Sequence, residues 1–395
     1  MKTLSQKDFT NKRAVIRVDF NVPLDENFKV TDNTRIIAAK ETIELVLKGG
    51  GSCVLISHLG RPKGKDAQFS LSHILEEVKQ ILNIPVEFCD DCVGPEAEKA
   101  TEDLKPGSVI LMENLRYYSE ETAGDVDFAS KLSKLGDCYI NDAFGTAHRA
   151  HASTTIIAQF FKEEKYFGKL LENEVTAIKK VMETGEKPVL AILGGAKVSS
   201  KITIIENMLD KIDHLIIGGG MVYTFVKAMG GSVGQSICEH EFCDYALELM
   251  EKAKAKGVQI HLPSDVIIAD DFSNDANKRP CDVYKIPKDW QGLDAGPETL
   301  KQFESVVLES KTILWNGPLG VFEFSSFATG TITLGEHISK STANGAFSLV
   351  GGGDSVAAVK QFGFESKMSY ISTGGGAMLE SLEGKTLPGI AALME

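Results

Sequence analysis

A chain of 395 residues, 43% hydrophobic and 25% charged, has the length and globular composition for two cores. Its net charge of −13 argues against nucleic acid or an anionic membrane as partner, and no apolar run is long enough to span a bilayer. Residues 1–13 hold no signal-peptide core and the seven cysteines are odd in number and scattered, so a reducing, cytoplasmic setting is expected.

The first expected strand is Ala14–Phe20, closed by Asn21-Val22-Pro23, with Asp19 and Asn21 at its end. Ile36, Ala39, Ile43, Val46 and Leu47 recur at helical spacing and Gly49-Gly50-Gly51 stops the helix. Arg35 lies in its first turn, where the macrodipole disfavours a cation. It is either an exposed surface arginine or one aimed at an anion that shares the helix N-terminus. The strand Cys53–His58 runs into Leu59-Gly60-Arg61-Pro62-Lys63-Gly64-Lys65. One His, one Arg and two Lys in that loop suit an anion cradle, with a solvated basic loop as the plain alternative.

Helical patterns follow around Leu71–Leu82 and Glu96–Asp103. Between them Cys89-Asp90-Asp91-Cys92 has no second pair to complete a zinc site, so it reads as two thiols in a loop. The strand Val109–Asn114 delivers Arg116, Phe128–Leu135 is helical, and the strand Cys138–Phe144 leads to His148-Arg149-Ala150-His151. Two histidines suggest metal, but no third ligand is apparent, so Arg149 is the functional candidate and the histidines its neighbours. One pattern recurs: Asp19, Asn21, Arg35, His58, Arg61, Arg116 and Arg149 fall near strand ends or a helix start. In a parallel sheet such positions converge on one edge, which gives an acidic protein a focused basic pocket for a small polyanion.

Lys169–Met182, with Leu171, Val175, Ile178 and Val181 on one stripe, reads as a connector between two domains or as an ordinary crossover helix. Beyond it an apolar run ends in glycines four times, at Gly194-Gly195, Gly218-Gly219-Gly220, Gly351-Gly352-Gly353 and Gly374-Gly375-Gly376. A strand that turns on glycines into a helix leaves N–H groups and a partial positive charge free for phosphate. Asp354 then either caps the helix or holds a metal ion. Lys197 and Lys201, four apart, are expected on one face of a helix that starts near Val198. Glu239–Lys256 reads as a long helix, and Gln259–Asp270 as a strand interrupted by Pro263. Asn316 ends the strand that begins at Thr312, and Glu323 follows the Gly317-Pro318 turn. No G-x-G-x-x-G occurs, which counts against a dinucleotide dehydrogenase, and Leu379 stands where a P-loop ending in Gly384-Lys385-Thr386 needs its first glycine.

Arg17-Val18-Asp19-Phe20-Asn21-Val22-Pro23, Ser57-His58-Leu59-Gly60-Arg61-Pro62, the run from Asn141 to His151, Leu193-Gly194-Gly195-Ala196-Lys197-Val198, Trp315-Asn316-Gly317-Pro318, Gly351-Gly352-Gly353-Asp354-Ser355 and Ser372-Thr373-Gly374-Gly375-Gly376-Ala377 resemble, in order and at full length, the phosphoglycerate kinase family. The resemblance implies an α/β protein of two doubly wound parallel-sheet, Rossmann-like domains joined by a connecting helix, with an open cleft between them. The implied boundaries are 1–168, the connecting helix 169–184, 185–378, and a segment 379–395 that returns to the first domain. It implies phosphoryl transfer between 1,3-bisphosphoglycerate and ADP with Mg2+, giving 3-phosphoglycerate and ATP, by a cytoplasmic monomer that closes about its hinge. By motif, Asp19, Phe20, Asn21, Arg35, His58, Leu59, Gly60, Arg61, Arg116, His148 and Arg149 would hold the glycerate. Gly195, Lys197, Lys201, Gly218, Gly219, Gly220, Leu293, Asn316, Glu323, Gly351, Gly352, Gly353, Asp354 and Ser355 would hold the nucleotide. Asp354 would bind the metal, and Arg35, Lys197, Gly352 and Gly353 would act on the transferred group.

Departures from the family pattern are Ser200, often acidic in the family, Met378 after the last glycine turn, and the connector Tyr166-Phe167-Gly168-Lys169-Leu170. A carboxylate and a nucleoside diphosphate need no general base, so catalysis would rest on alignment, charge neutralisation and water exclusion. The rivals are a nucleotide-sensing protein without activity and a kinase for another small carboxylate. The first predicts loss of Arg35, Lys197 or Asp354 and the second an altered basic pocket; the sequence has neither.

Overall fold

The computed structural model describes residues 2–4 and 7–394; Met1, Ser5, Gln6 and Glu395, at the ends of the expected first and last segments, lie outside the described residues. Runs such as Val15-Ile16 and Ile192-Leu193 are buried on both faces, the condition that produces continuous apolar strands in parallel sheets. The chain divides into two compact units. One comprises the residues up to Thr176 together with those from Thr386 onward, and the other is Ala177–Lys385.

In the first unit six parallel strands lie in the order Val86–Cys89, Val109–Met112, Ser52–Ile56, Arg13–Val18, Cys138–Asp142, Lys165–Phe167. From Arg13–Val18 the chain steps to one side, into Ser52–Ile56, and returns later on the other, into Cys138–Asp142. The crevice at the carboxyl ends of these strands is the switch point where open α/β sheets take ligands. Helix Thr34–Lys48 buries Ile36, Ala39, Ile43 and Val46 in the core of this unit, leaving Leu47 half-buried. The late helix Pro388–Met394 belongs to the same unit, where Gly389 N–H donates to Ala147 O at 2.9 Å.

The second unit repeats the plan with Gln259–His261, His214–Ile217, Val189–Leu193, Thr312–Asn316, Phe347–Val350 and Tyr370–Ile371, again all parallel. Here the order reverses between Val189–Leu193 and Thr312–Asn316. Trp315, fully buried, packs in one cluster with Leu190, Ile192, Leu334 and Val350.

Two expectations are corrected. Gln259–Asp270 is interrupted at Pro263 as expected, but its two pieces are not one strand resumed: Gln259–His261 edges the parallel sheet, while Asp265–Ala269 is the centre of a separate antiparallel sheet between Lys278–Asp282 and Gln291–Ala295. Pro263, which has no N–H to donate, sits in the change of direction. The helix expected from Glu239 starts as a short 3-10 turn, His240–Phe242, and becomes α-helical over Cys243–Ala255. Helix Lys169–Met182 forms with Leu171, Ile178 and Val181 buried and Val175 half-buried, and the division between the units falls inside it.

Asp294, on the antiparallel sheet, is buried, and burial pushes its carboxyl up from 3.8 to about 7 against the pull of the Gly330 and Ala295 N–H groups at 2.8 and 2.9 Å. Between those two values the unfolded chain sheds the proton while the folded unit keeps it, so the contribution of Asp294 to the stability of the second unit is lost as pH rises through the window, whereas His261, lowered by burial to about 4, contributes in the opposite direction. Trp290 and Trp315 are the two tryptophans and both belong to this unit. In urea melts followed by tryptophan fluorescence, Asp294→Asn should therefore gain stability relative to the wild type as pH rises through the window; a difference between the two that does not change with pH would place the titration elsewhere.

Candidate active site

In the first unit the loops at the carboxyl ends of the strands are tied to one another. Arg35 pairs with Asp19 Oδ2 at 3.2 Å and donates to Asn21 O at 2.9 Å. A nearly buried carboxylate thus holds the cation that the helix start disfavours. Gly60 N–H donates to Asn21 Oδ1 at 2.8 Å, Phe20 N–H to Ser57 Oγ at 2.9 Å, and Arg116 to Gly60 O at 2.8 Å. The buried Asn114 carboxamide accepts from Leu59 N–H at 3.2 Å and donates to Leu59 O and Phe69 O at 2.7 and 2.8 Å.

A cavity of about 520 Å³ opens among Arg61, Lys63, Arg116, Arg149 and His151. A second, of about 300 Å³, has Asn21, Leu59, Gly60 and Phe69 in its wall. Asp19, Phe20, Arg35, His58 and His148 line neither cavity. Phe20 and Leu59 are buried, which leaves their main chain as the part suited to a ligand.

Below the arginines lies a network that sequence reasoning missed. Arg17 is fully buried; its Nε donates to Ser153 Oγ at 2.7 Å, and that hydroxyl donates to the buried Glu121 Oε1 at 2.6 Å. The Arg17 guanidinium also meets His58 Nδ1 at 3.1 Å. An arginine inside an otherwise apolar strand was the available signal. His58 stays neutral: burial first, then Arg17, Arg116 and Arg35, hold it well below the usual imidazole range, and Asp19 at 4.0 Å does not offset them. Burial and the arginines likewise lower His151 to about 4. Burial and the repulsion of Arg17 and Arg61 also pull Arg116 below the usual guanidinium range, but an arginine remains charged at any pH the fold tolerates. The cavity wall therefore gathers three guanidiniums and a lysine, with Glu120 as its one carboxylate. This arrangement suits a small polyanion.

In the second unit the glycine turns follow four strands of one parallel sheet. Asn316, buried, donates to Gly351 O at 2.7 Å and accepts from Lys201 Nζ, and its main-chain oxygen accepts from Gly194 N–H at 2.9 Å. Gly352, at φ +92°, precedes helix Gly353–Gln361, which has no side-chain cap. Asp354 lies in the first turn of this helix with its carboxylate exposed. Helix Gly375–Leu382 also starts without a side-chain cap, and a Cβ at Gly353 or Gly375 would meet nothing. Two helix starts with space in front of them suit phosphate.

The placing of Lys197 and Lys201 on one helix is corrected as well. The α-helix begins only at Ile202, because Ser200 Oγ bonds back to Lys197 O at 2.8 Å and Ser199 is drawn to Glu239, bonds that compete with helical ones. Lys197 is exposed on the loop, whereas Lys201 is half-buried, and burial lowers its pKa against the attraction of Asp354 and Glu383. Ser355 is fully buried, with its hydroxyl accepting Gly317 N–H at 2.5 Å, so it braces the turns. Gly195 and Gly220 are half-buried on their turns and Glu323 is exposed. Leu293 is buried beside Ala269 and Phe327. The void at Gly218 and Gly219 holds only about 10 Å³, too little for a purine base.

An exposed carboxylate at an uncapped helix start fits a magnesium ion that takes one protein oxygen and completes its shell with water and phosphate.

The description "Phosphoglycerate kinase" belongs to the family model that matches residues 4–385. A relative of that name from Porphyromonas gingivalis is 52% identical over 99% of both chains. A cytosolic phosphoglycerate kinase from Nicotiana tabacum is 49% identical over 99% of this chain and 97% of its own. The solved phosphoglycerate kinase of Coxiella burnetii superposes with a TM-score of 0.91 at 40% identity, covering 99% of this chain and 98% of that one. The Pyrococcus horikoshii enzyme gives 0.83 at 29% identity, over 100% and 98%. With motif, topology and full-length likeness in agreement, the chain belongs to the phosphoglycerate kinase family.

Proposed function

We propose a division of labour for the glycolytic phosphoryl transfer that this kinase performs. The arginine cavity of the first unit holds 3-phosphoglycerate or 1,3-bisphosphoglycerate through Arg61, Arg116 and Arg149, with Asn21 and the Leu59-Gly60 main chain beside it. Arg35, carried by Asp19, is kept for the transferring group. The helix starts at Gly353 and Gly375, with Lys197 and Lys201, hold the phosphates of ADP or ATP. Asp354 would hold Mg2+, which supplies charge neutralisation on those phosphates. Glu323, Leu293 and Gly218–Gly220 serve the nucleoside once the small void at Gly218 widens. The observation that carries this reading is the pairing of an arginine-lined cavity at one switch point with uncapped glycine turns at the other.

Neither reacting oxygen needs a base to activate it, so direct in-line transfer asks only for alignment and neutralisation. Closure about Lys169–Met182 would bring the reactants together and expel water. No helix among the described residues is long and apolar enough to cross a membrane. On the likeness to a cytosolic relative and to the family pattern, we read the enzyme as a cytoplasmic monomer.

The direct test is ADP formation from MgATP with and without 3-phosphoglycerate. Turnover that requires the glycerate is expected. Nucleotide binding without it would favour the sensing protein or another acceptor.

Arg35→Ala should lower turnover by about 10²–10⁴, below the full range of an arginine finger, with the fold intact. Lys197→Ala should lower turnover more than ADP affinity. Wild-type turnover in the first variant would remove Arg35 from the transfer step; equal losses in the second would make Lys197 a uniform binding residue.

Small-angle scattering should give a smaller radius of gyration with both substrates bound than with either alone, and an unchanged radius would count against closure.

A further inference from the structure

We propose that Cys238, His240 and Cys243 form a three-ligand site for Zn2+ or a similar thiophilic divalent cation, set behind the loop that carries Lys197. The three offer one nitrogen and two sulfurs, all within 4.8 Å of one another, with Cys238 Sγ 3.9 Å from His240 Nδ1. A tetrahedral zinc with Zn–S near 2.3 Å and Zn–N near 2.0 Å sets its ligand atoms roughly 3.5–3.8 Å apart, so small side-chain rotations complete the site. Among the described residues this is the one such group of three or more His, Cys, Asp or Glu ligands.

The local chain explains the grouping. The turn His240–Phe242 separates the two cysteines and brings Cys243 to the first position of helix Cys243–Ala255, where the dipole favours the charge of a thiolate ligand. The contacts of the Cys243 thiol to Thr224 O and Glu239 O are long, 3.8 Å and 4.0 Å, and a metal bond would outcompete them. Cys238 and Cys243 are half-buried and His240 is exposed, so the fourth position stays open to solvent and the ion exchanges.

The site is placed to act on the loop. Glu239, between two of the ligands, accepts Ser199 N–H at 3.0 Å and Ser199 Oγ–H at 2.6 Å, and its own N–H is anchored on Thr224 Oγ1 at 3.0 Å. A metal that fixes residues 238 and 240 fixes Glu239, and through Ser199 the segment between Gly194 and Lys201. The site itself stands apart from the reading of that loop as nucleotide-binding; only a regulatory consequence would rest on it.

Co2+ titrated into the full-length protein should bind one ion per chain with thiolate-to-cobalt absorption and tetrahedral d–d bands, and Zn2+ should displace it. The Cys238→Ser/Cys243→Ser pair should abolish the bands, while Cys89→Ser/Cys92→Ser should keep them. Absent bands, or bands that survive the first pair, overturn the site. Zn2+ should also slow hydrogen exchange at the Ser199 amide several-fold, and Glu239→Gln should lose that slowing while keeping the cobalt bands. Exchange that ignores Zn2+ in the wild type overturns the coupling. Neither readout needs nucleotide, so failure here is distinct from failure of the phosphoryl-transfer assignment.

Discussion

Asn316 is where the second unit's site is held together. Its carboxamide donates to Gly351 O and accepts from Lys201 Nζ, while its main-chain oxygen takes the Gly194 N–H. One buried residue thus joins, through its side chain and main chain together, the turns after three strands and fixes a lysine beside them. Each such bond contributes only about 1 kcal/mol net, but a buried donor or acceptor left without a partner costs roughly 1–3 kcal/mol. Removing the carboxamide would leave both Gly351 O and a half-buried ammonium unsatisfied. The penalty would fall on the geometry of the phosphate turns more than on the core below them. Asn114 does the same work in the first unit, tying the Leu59 main chain to Phe69 with three bonds from one amide.

The first unit adds a problem of charge. Arg61, Arg116 and Arg149 share a cavity wall above a fourth arginine, Arg17, that is wholly buried. A lone buried guanidinium is costly unless it is paired and hydrogen-bonded. The Ser153 hydroxyl resolves this by accepting from Arg17 and donating to Glu121, so the two charges are linked without direct contact. The histidines resolve the rest by staying neutral, because burial and three arginines around each outweigh the carboxylates nearby. The positive potential left over points into the cavity, and a small anion can use it there although the protein as a whole is acidic.

The strands were legible because both faces of each sheet are covered, which forces continuous apolar runs with functional residues just past their ends. Asp19, Asn21, Arg61, Arg116 and Arg149 could be picked out for that reason alone. The misses lie where side chains, not periodicity, decide. Ser199 and Ser200 pull the chain out of helix before Ile202, so Lys197 and Lys201 take different surroundings despite their spacing of four. The charge state of His58 could not be read from its neighbours in sequence, because it is set by burial and then by Arg17, forty-one positions away. The zinc-type grouping at Cys238 went unread because its ligands follow no common spacing and meet only through a 3-10 turn.

The glycines show the same limit and what lies beyond it. In the sequence all four turns look alike. In the fold, Gly194 and Gly317 approach so closely that a Cβ on either would overlap the other's main chain, and Gly218 is closed by Leu319. Gly352 takes φ +92° against the Asn316 amide. These positions exclude side chains so that the turns can pack on one another. At Gly353 and Gly375 nothing stands where a Cβ would be, and each opens a helix whose first N–H groups lack a side-chain cap. Packing does not require glycine at those two positions. The space a side chain would fill is the space an anion needs to reach the helix start, and this separates the glycines that build the site from those that keep it open.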